Sequence, residues 1–295
     1  MNDSRRGLAL GVLGVVIFAM TVPMTRLAVG ATSDPQLPPL FVTAGRAALA
    51  GVLSVIYLLA VHARWPARRH ALPLAISAIG TVLGFPLTLA LALREVDAMH
   101  AAVVTGLMPL STAVIAALVL HQRPSRGFWA CAVAGFALVL TFAAWQGGGA
   151  VSAGDGYLLL AVLFTGMGYV AGAKVAADMP APQVICWVLV ISLPFTLPAA
   201  LWWWPEAPAR LSAWVGFGYV SLFSMWLGFF AWYRGLTLGG VVRVSQVQLV
   251  QPFLALLFAV PVLGERLDAV TVLFSLAVIA VVFIGRRMPV RQLAV

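Results

Sequence analysis

Acid is scarce in this chain: nine carboxylates stand against eighteen basic side chains in 295 residues. Asp3, Asp34, Glu95, Asp97, Asp155, Asp178, Glu206, Glu265 and Asp268 all fall outside the long apolar runs or at their ends. A carboxylate in the bilayer core usually marks a proton relay or a cation site. With none so placed, carboxylate-coupled antiport of cations and a diacid metal site both lack their chemistry. Cysteine is scarcer still. Cys131 and Cys186 both sit in apolar runs and read as packing residues rather than a bridge. No His/Cys cluster has metal-ligand spacing. A glycine-rich phosphate loop and a nucleophile elbow are both missing, so nucleotide-driven pumping and hydrolase chemistry have no support and no cofactor is expected. Lysine occurs once, as Lys174, against seventeen arginines. With abundant Ala and Gly, that bias points to a GC-rich bacterial genome and hence a plasma (inner) membrane.

What the chain does have is hydrocarbon. It is 62% hydrophobic and 9% charged, with a mean hydropathy of +1.02, far outside soluble averages. Ten runs of membrane-spanning length follow one another: 7–29, 39–61, 71–93, 98–120, 126–145, 156–177, 183–204, 212–235, 240–263 and 268–286. Backbone groups in lipid need internal partners, so such runs are helical. The expected fold is therefore an all-α membrane protein. The first run follows Arg5-Arg6 but is long, contains Pro23 and Arg26 and lacks a clear cleavage site, so it is expected to be retained.

The net charge of +9 follows membrane logic. Arg5, Arg6, Arg64, Arg68, Arg69, Arg123, Arg126, Lys174, Arg234, Arg286, Arg287 and Arg291 share one side if the N-terminus is cytoplasmic. Only Arg26, Arg94, Arg210 and Arg266 fall opposite, which predicts cytoplasmic N- and C-termini. No folded basic face forms, so nucleic acid is not an expected partner. The lipid bilayer is.

The chain also repeats itself. Pro109 precedes Gln122 by thirteen residues, and Pro252 precedes Glu265 by the same interval, 143 positions later. Arg26-Leu27-Ala28 closing the first run is echoed by Lys174-Val175-Ala176 closing the sixth. A period this long excludes a solenoid and fits duplicated halves, 1–146 and 156–295, joined by a Gly-rich linker at 147–155. Five spans per half is an odd number, so the halves are inverted about an axis in the membrane plane. The interface of such repeats is where transporters bind cargo. Pro23, Pro109 and Pro252 are the expected hinges, with Gly84 and Pro86 weakening span three. Gly80 with Gly84, and Gly168 with Gly172, form small-residue faces for close helix approach.

Several short motifs carry a resemblance. They are Ala92-Leu93-Arg94, Trp232-Tyr233-Arg234-Gly235-Leu236, Arg243-Val244-Ser245-Gln246, Gln251-Pro252-Phe253 and Leu263-Gly264-Glu265, with the basic span ends at Arg26 and Lys174. Over nearly its whole length the chain resembles the ten-span EamA-type members of the drug/metabolite transporter superfamily. The first half departs from the pattern, with Gln122-Arg123 where Gly-Glu is usual. The resemblance implies a secondary transporter with two inverted five-helix repeats around a central cavity. Overall likeness is greatest to exporters of aromatic and other neutral amino acids, and export rather than import rests on that likeness.

The residues sharpen this expectation. Ser245, Gln248 and Gln251 recur every three residues along span nine, flanked by Gln246, and amides bind zwitterionic or hydroxylated groups without charge. The equivalents in span four are Ala102, Thr105 and Met108, a greasier wall. Interhelical hydrogen bonding is the alternative for the amides. Trp226, Phe229, Phe230 and Tyr233 share one helical face of span eight, and Trp226 lies near mid-span, away from the interfacial belts. Trp202-Trp203-Trp204 closes span seven as an interfacial anchor. Met20, Pro86 and Tyr169 complete the candidate substrate-binding set. Arg46 lies about 10 Å along span two. It either snorkels or pairs structurally, or it meets a substrate carboxylate. His100 reads as a satisfied or solvated imidazole rather than a proton carrier. Spans one, three, four, six, eight and nine are expected around the cavity. Spans five and ten, near-uniformly apolar, are expected at the edge, where a homodimer would form.

The expected cargo is a small amino-acid-like molecule moved by alternating access. A permease for drugs, sugars or nucleosides is the rival reading. A membrane-embedded enzyme and a channel stand further off, since paired acids and a mid-span lysine are lacking.

Overall fold

A computed structural model of the protein describes residues 3–119, 123–146, 148, 151–176, 178–239, 246–288 and 290–291. Gln122, Arg243, Ser245 and the linker glycines Gly147 and Gly149 lie outside the described residues. Eight helices are long and apolar enough to cross a membrane: Arg5–Val29, Pro39–Ala60, Arg68–Glu95, Ala98–Val119, Arg126–Gln146, Ala153–Ala176, Pro182–Trp202 and Leu211–Gly235. Two shorter apolar helices, Val247–Leu263 and Ala269–Gly285, take positions nine and ten. Over their described residues the ten expected spans are thus helical, with described ends within a few residues of the sequence reading. Span nine differs most, because its described part begins only at Gln246.

Side-chain contacts sort the links into two ends. Asp34 with Arg210, Arg26 with Asp97, and Glu265 with Ala98 meet at one, here the far end. His70 with Asp178, and the short pairing of Arg123–Pro124 with Val290–Arg291, lie at the other, the terminal end. Asp178 is held below the usual carboxylate range, first by the His70 hydrogen bond and then by the Arg69 guanidinium.

Spans pack in pairs that respect exchange of the two halves. Span one lies along span eight, and span three along span six. Spans two and seven pack on each other, as do five and ten. If each span is matched to the one five positions later, the first two pairs interchange and the last two map onto themselves. Glycines permit the closest approaches. A Cβ on Gly80 would lie 2.5 Å from the Phe164 carbonyl oxygen and 2.6 Å from the Gly168 nitrogen. One on Gly235 would lie 2.7 Å from the Gly11 nitrogen. Both small-residue faces of the sequence reading therefore serve span three against span six, and the one–eight crossing uses the same device.

Five of the spans are not regular helices. Span one breaks at Met20, between Asp3–Ala19 and Thr21–Val29. Pro23 has no N–H for the Ala19 carbonyl four residues back, which accounts for the break. Span three passes through a π-helical stretch at Ala78–Gly84, just before Pro86. Span four breaks between Ala98–Thr105 and Met108–Val119, where Pro109 deprives Thr105. Span eight is π-helical over Val220–Leu227. Span nine runs as a 3₁₀ turn, Gln246–Val250, into Gln251–Leu263, around Pro252. Hydroxyls serve carbonyls at or near these irregular turns: Thr25 donates to Thr21 O, Thr81 to Ser77 O, Thr105 to Ala101 O and Ser221 to Phe217 O. The breaks of spans four and nine face each other, since a Cβ on Gly106 would come within 3.4 Å of the Pro252 ring.

Replacing Gly168 with Leu is expected to force spans three and six apart. The cost is about 1–3 kcal/mol, read as a lower unfolding midpoint of detergent-purified protein. Gly156→Ala, where nothing lies within 4 Å of the added carbon, should leave the midpoint unchanged.

Candidate functional site

The five irregular stretches converge on one cavity in the middle of the bundle. About 880 Å³ of empty space, the open mouth included, lies within its bounds. Span one contributes Phe18, Thr21 and Val22, and span three Thr81 and Phe85. Span four supplies Thr105, Met108 and Pro109, and span six Thr165 and Tyr169. Ser224, Met225 and Phe229 come from span eight, and Gln248, Gln251 and Pro252 from span nine. Those are the six spans expected. Span two adds Arg46 and span ten adds Ile279, neither of which the sequence reading had counted as walls.

The lining mixes two chemistries. Phe18, Phe85, Met108, Met225 and Phe229 give apolar and aromatic surface. Thr21, Thr105, Ser224, Gln248 and Gln251 give hydroxyls and amides. No carboxylate is among the described lining residues, and Arg46 is their one formal charge. Its guanidinium is 2% exposed and donates through Nη2 to Ser224 Oγ at 3.1 Å. Ser224 Oγ in turn lies 2.8 Å from Thr21 Oγ1, joining spans two, eight and one. Arg46 therefore does not snorkel.

Of the candidate residues, Thr105, Met108, Tyr169, Gln248, Gln251 and Arg46 border the cavity, as do Pro109 and Pro252. Met20 and Pro86 do not, although their neighbours Thr21 and Phe85 do. Pro23 is buried in span one, behind Val22. Ser245 lies outside the described residues, and of Gln246 only the backbone is described. Trp226 and Phe230 turn away from the cavity: Trp226 stacks on Phe230 at 4.8 Å, and Phe230 meets Tyr57 of span two at 4.9 Å. Both belong to a packing cluster with Trp187 and Cys186. Of the face assigned to span eight, Phe229 borders the cavity, and Ser224 and Met225 join it in place of Trp226 and Phe230. The π-helical turns ending at Leu227 carry an extra residue per turn, and a 3.6-residue reading slips across them.

At the far end of the bundle polar contacts tie the span ends together, and those of Glu265 and Asp155 reach across to the first half. Glu265 accepts the N–H groups of Ala98 and Met99, each at 2.8 Å, capping the first turn of span four. Burial raises its carboxyl above the ordinary value, and those two hydrogen bonds oppose the shift. Arg26 donates to the carbonyls of Leu93 and Val96 and pairs with Asp97 at 3.5 Å. His100 meets Asp155 at 2.5 Å with both side chains under a tenth exposed. Asp155 also forms a reciprocal cap with Ser152 at the start of span six. The imidazole is satisfied, as expected, but by a buried acid that the sequence reading had left at a span boundary. Toward the terminal end, residues 111–116 of span four and 251–254 of span nine are partly buried.

Comparison with known proteins gives the frame. The EamA-like transporter family profile matches this chain over residues 5–143 and again over 152–286. An uncharacterized transporter of Bacillus subtilis (strain 168), YdeK, is 44% identical over 289 residues, covering 97% of this chain and 99% of the relative. A solved crystal structure shares the fold with a TM-score of 0.63, at 18% identity over 95% of this chain and 98% of that one.

Asp155→Asn is expected to lower stability by about 3–5 kcal/mol, because it leaves His100 without its buried partner. Asp34→Asn, which removes an exposed pair with Arg210, should cost no more than about 1 kcal/mol. Denaturation midpoints of the two variants, compared side by side, check the contrast.

Proposed function

The chain belongs to the EamA-like transporter family, a multi-pass membrane transporter and not an enzyme, and on that premise we propose that it exports small neutral metabolites, above all aromatic and other hydrophobic amino acids. The observation that carries this reading is the mixed lining of the cavity. Its aromatic and Met side chains suit an apolar side chain, and its hydroxyls and amides suit the polar end of the same molecule. A sugar would need hydrogen-bond partners on all sides, which Phe18, Phe85 and Phe229 do not offer. A cationic drug would meet a guanidinium and, among the described lining residues, no carboxylate.

The transport step we propose is alternating access. Glu265, Arg26 and the His100–Asp155 pair hold the far end together, whereas residues 111–116 and 251–254 of spans four and nine are less buried toward the terminal end. Exchange of roles between the inverted halves would open the first and close the second. Pro109 and Pro252 sit where spans four and nine would bend. The terminal end is read as cytoplasmic and the membrane as the bacterial inner membrane, from the distribution of arginine and lysine.

Proteoliposomes test the cargo. Purified protein is expected to move labelled phenylalanine or leucine across the membrane. Thr105→Val together with Gln251→Leu, which strip polar groups from the lining, should slow that flux by about tenfold or more, on the scale of one or two lost hydrogen bonds. No movement of any amino acid in either direction would refute the cargo assignment.

A further inference from the structure

Two groups at the cavity are left without partners, and their chemistries are opposite. Arg46 Nε and Nη1 are buried and make no hydrogen bond among the described residues. Together they hold three of the five guanidinium N–H donors, and Nη2 spends only one of its two on Ser224. Elsewhere on the same lining, Gln251 Oε1 is a buried acceptor that also has no partner among the described residues. Arg46 is 2% exposed, and a guanidinium so buried with no counter-ion among the described residues is costly. Its remaining donors match the paired acceptors of a carboxylate in the forked geometry that guanidinium favours. The hydroxyl chain from Ser224 to Thr21 fixes the head group in place. A lone amide oxygen on the same lining suits a single N–H donor.

We propose that Arg46 is the carboxylate receptor of this cavity and that Gln251 accepts from the amino group of the same cargo, so that the site reads the two ends of a zwitterion. The proposal rests on the amino-acid reading above and sharpens it: the recognised group is the backbone of the amino acid, and the side chain lies against the aromatic residues of the lining. Selection among cargoes then works by two rules. A solute without a carboxylate leaves the guanidinium unpaired and is rejected. A solute with a carboxylate but no amine leaves only the Gln251 oxygen unpaired and is disfavoured less.

The test uses three probes of one shape: phenylalanine, phenylalaninamide, which lacks the carboxylate, and 3-phenylpropionate, which lacks the amine. Binding is read from ligand-dependent shifts in the unfolding midpoint of the purified full-length protein, and from competition with labelled phenylalanine flux in proteoliposomes. The expected order is phenylalanine, then phenylpropionate, then phenylalaninamide weaker than phenylalanine by about a hundredfold, the scale of a lost charged hydrogen-bond pair. Arg46→Gln should bring amino acid and amide to within about threefold of each other. Gln251→Leu should instead remove the advantage of phenylalanine over phenylpropionate. If Arg46→Gln does not fold, Arg46→Lys keeps the charge without the fork and should weaken both carboxylates while leaving the amide unchanged. Equal binding of amide and amino acid by the native protein, or an Arg46 variant that keeps the native order, overturns the proposal and leaves amino-acid transport standing. Conversely, a panel of other carboxylates that bind in an Arg46-dependent way while phenylalanine and leucine do not would uphold the receptor and remove the amino-acid reading. If neutral or cationic solutes bind and no carboxylate does, the receptor is refuted.

Discussion

A peptide group in hydrocarbon must find its partner within the protein, and the architecture follows from that constraint. It makes the ten apolar runs helical, and it makes each departure from a regular helix expensive wherever lipid is the neighbour. The breaks in spans one, three, four, eight and nine therefore sit together, against a cavity and one another, with threonine and serine hydroxyls on the carbonyls nearby. Proline explains four of them by removing an N–H donor. Span eight has no proline near Val220–Leu227, and there the π-helical stretch contains Ser221, whose hydroxyl donates to the Phe217 carbonyl, and Ser224, whose hydroxyl accepts from Arg46.

The same constraint explains how the halves meet. With no hydrophobic drive between helices in lipid, association depends on backbones coming close and on polar contacts. Glycines at 80, 168 and 235 provide the first. The second is concentrated at the far end, where Glu265 of the second half caps span four of the first, and Asp155 of span six holds His100. Acid is scarce in the sequence because it is used sparingly, at helix ends and between spans. Among its described lining residues the cavity keeps one buried cation and no acid, an arrangement that favours a cargo bringing its own negative group.

Much of the fold was legible in the sequence, because hydrocarbon-length runs and arginine placement are strong, additive signals. The Pro109 and Pro252 echo located a matched pair of breaks, and the amide spacing on span nine placed Gln248 and Gln251 at the cavity. What failed to show had physical causes. A π-helical turn leaves no fixed residue signature, so the span-eight stripe of Trp226, Phe229, Phe230 and Tyr233 caught Phe229 but missed Ser224 and Met225. Thr21 and Ser224 looked like ordinary small polar residues, because their pairing spans 203 positions. Asp155 looked like a loop acid because burial at a helix start depends on which neighbour, here His100, is folded over it.

Cysteine accessibility tests the central claim most directly, which is that the broken turns line a wet, cargo-sized cavity and the continuous packing clusters do not. Single cysteines at Thr105, Gln248, Trp226 and Leu189, in a background with Cys131 and Cys186 replaced, would be exposed to a small hydrophilic thiol reagent in membranes. The account predicts fast modification at Thr105→Cys and Gln248→Cys, slowed by cargo, and none at Leu189→Cys or Trp226→Cys. Inert cavity positions, or reaction at Leu189→Cys and Trp226→Cys at equal rates, would contradict it.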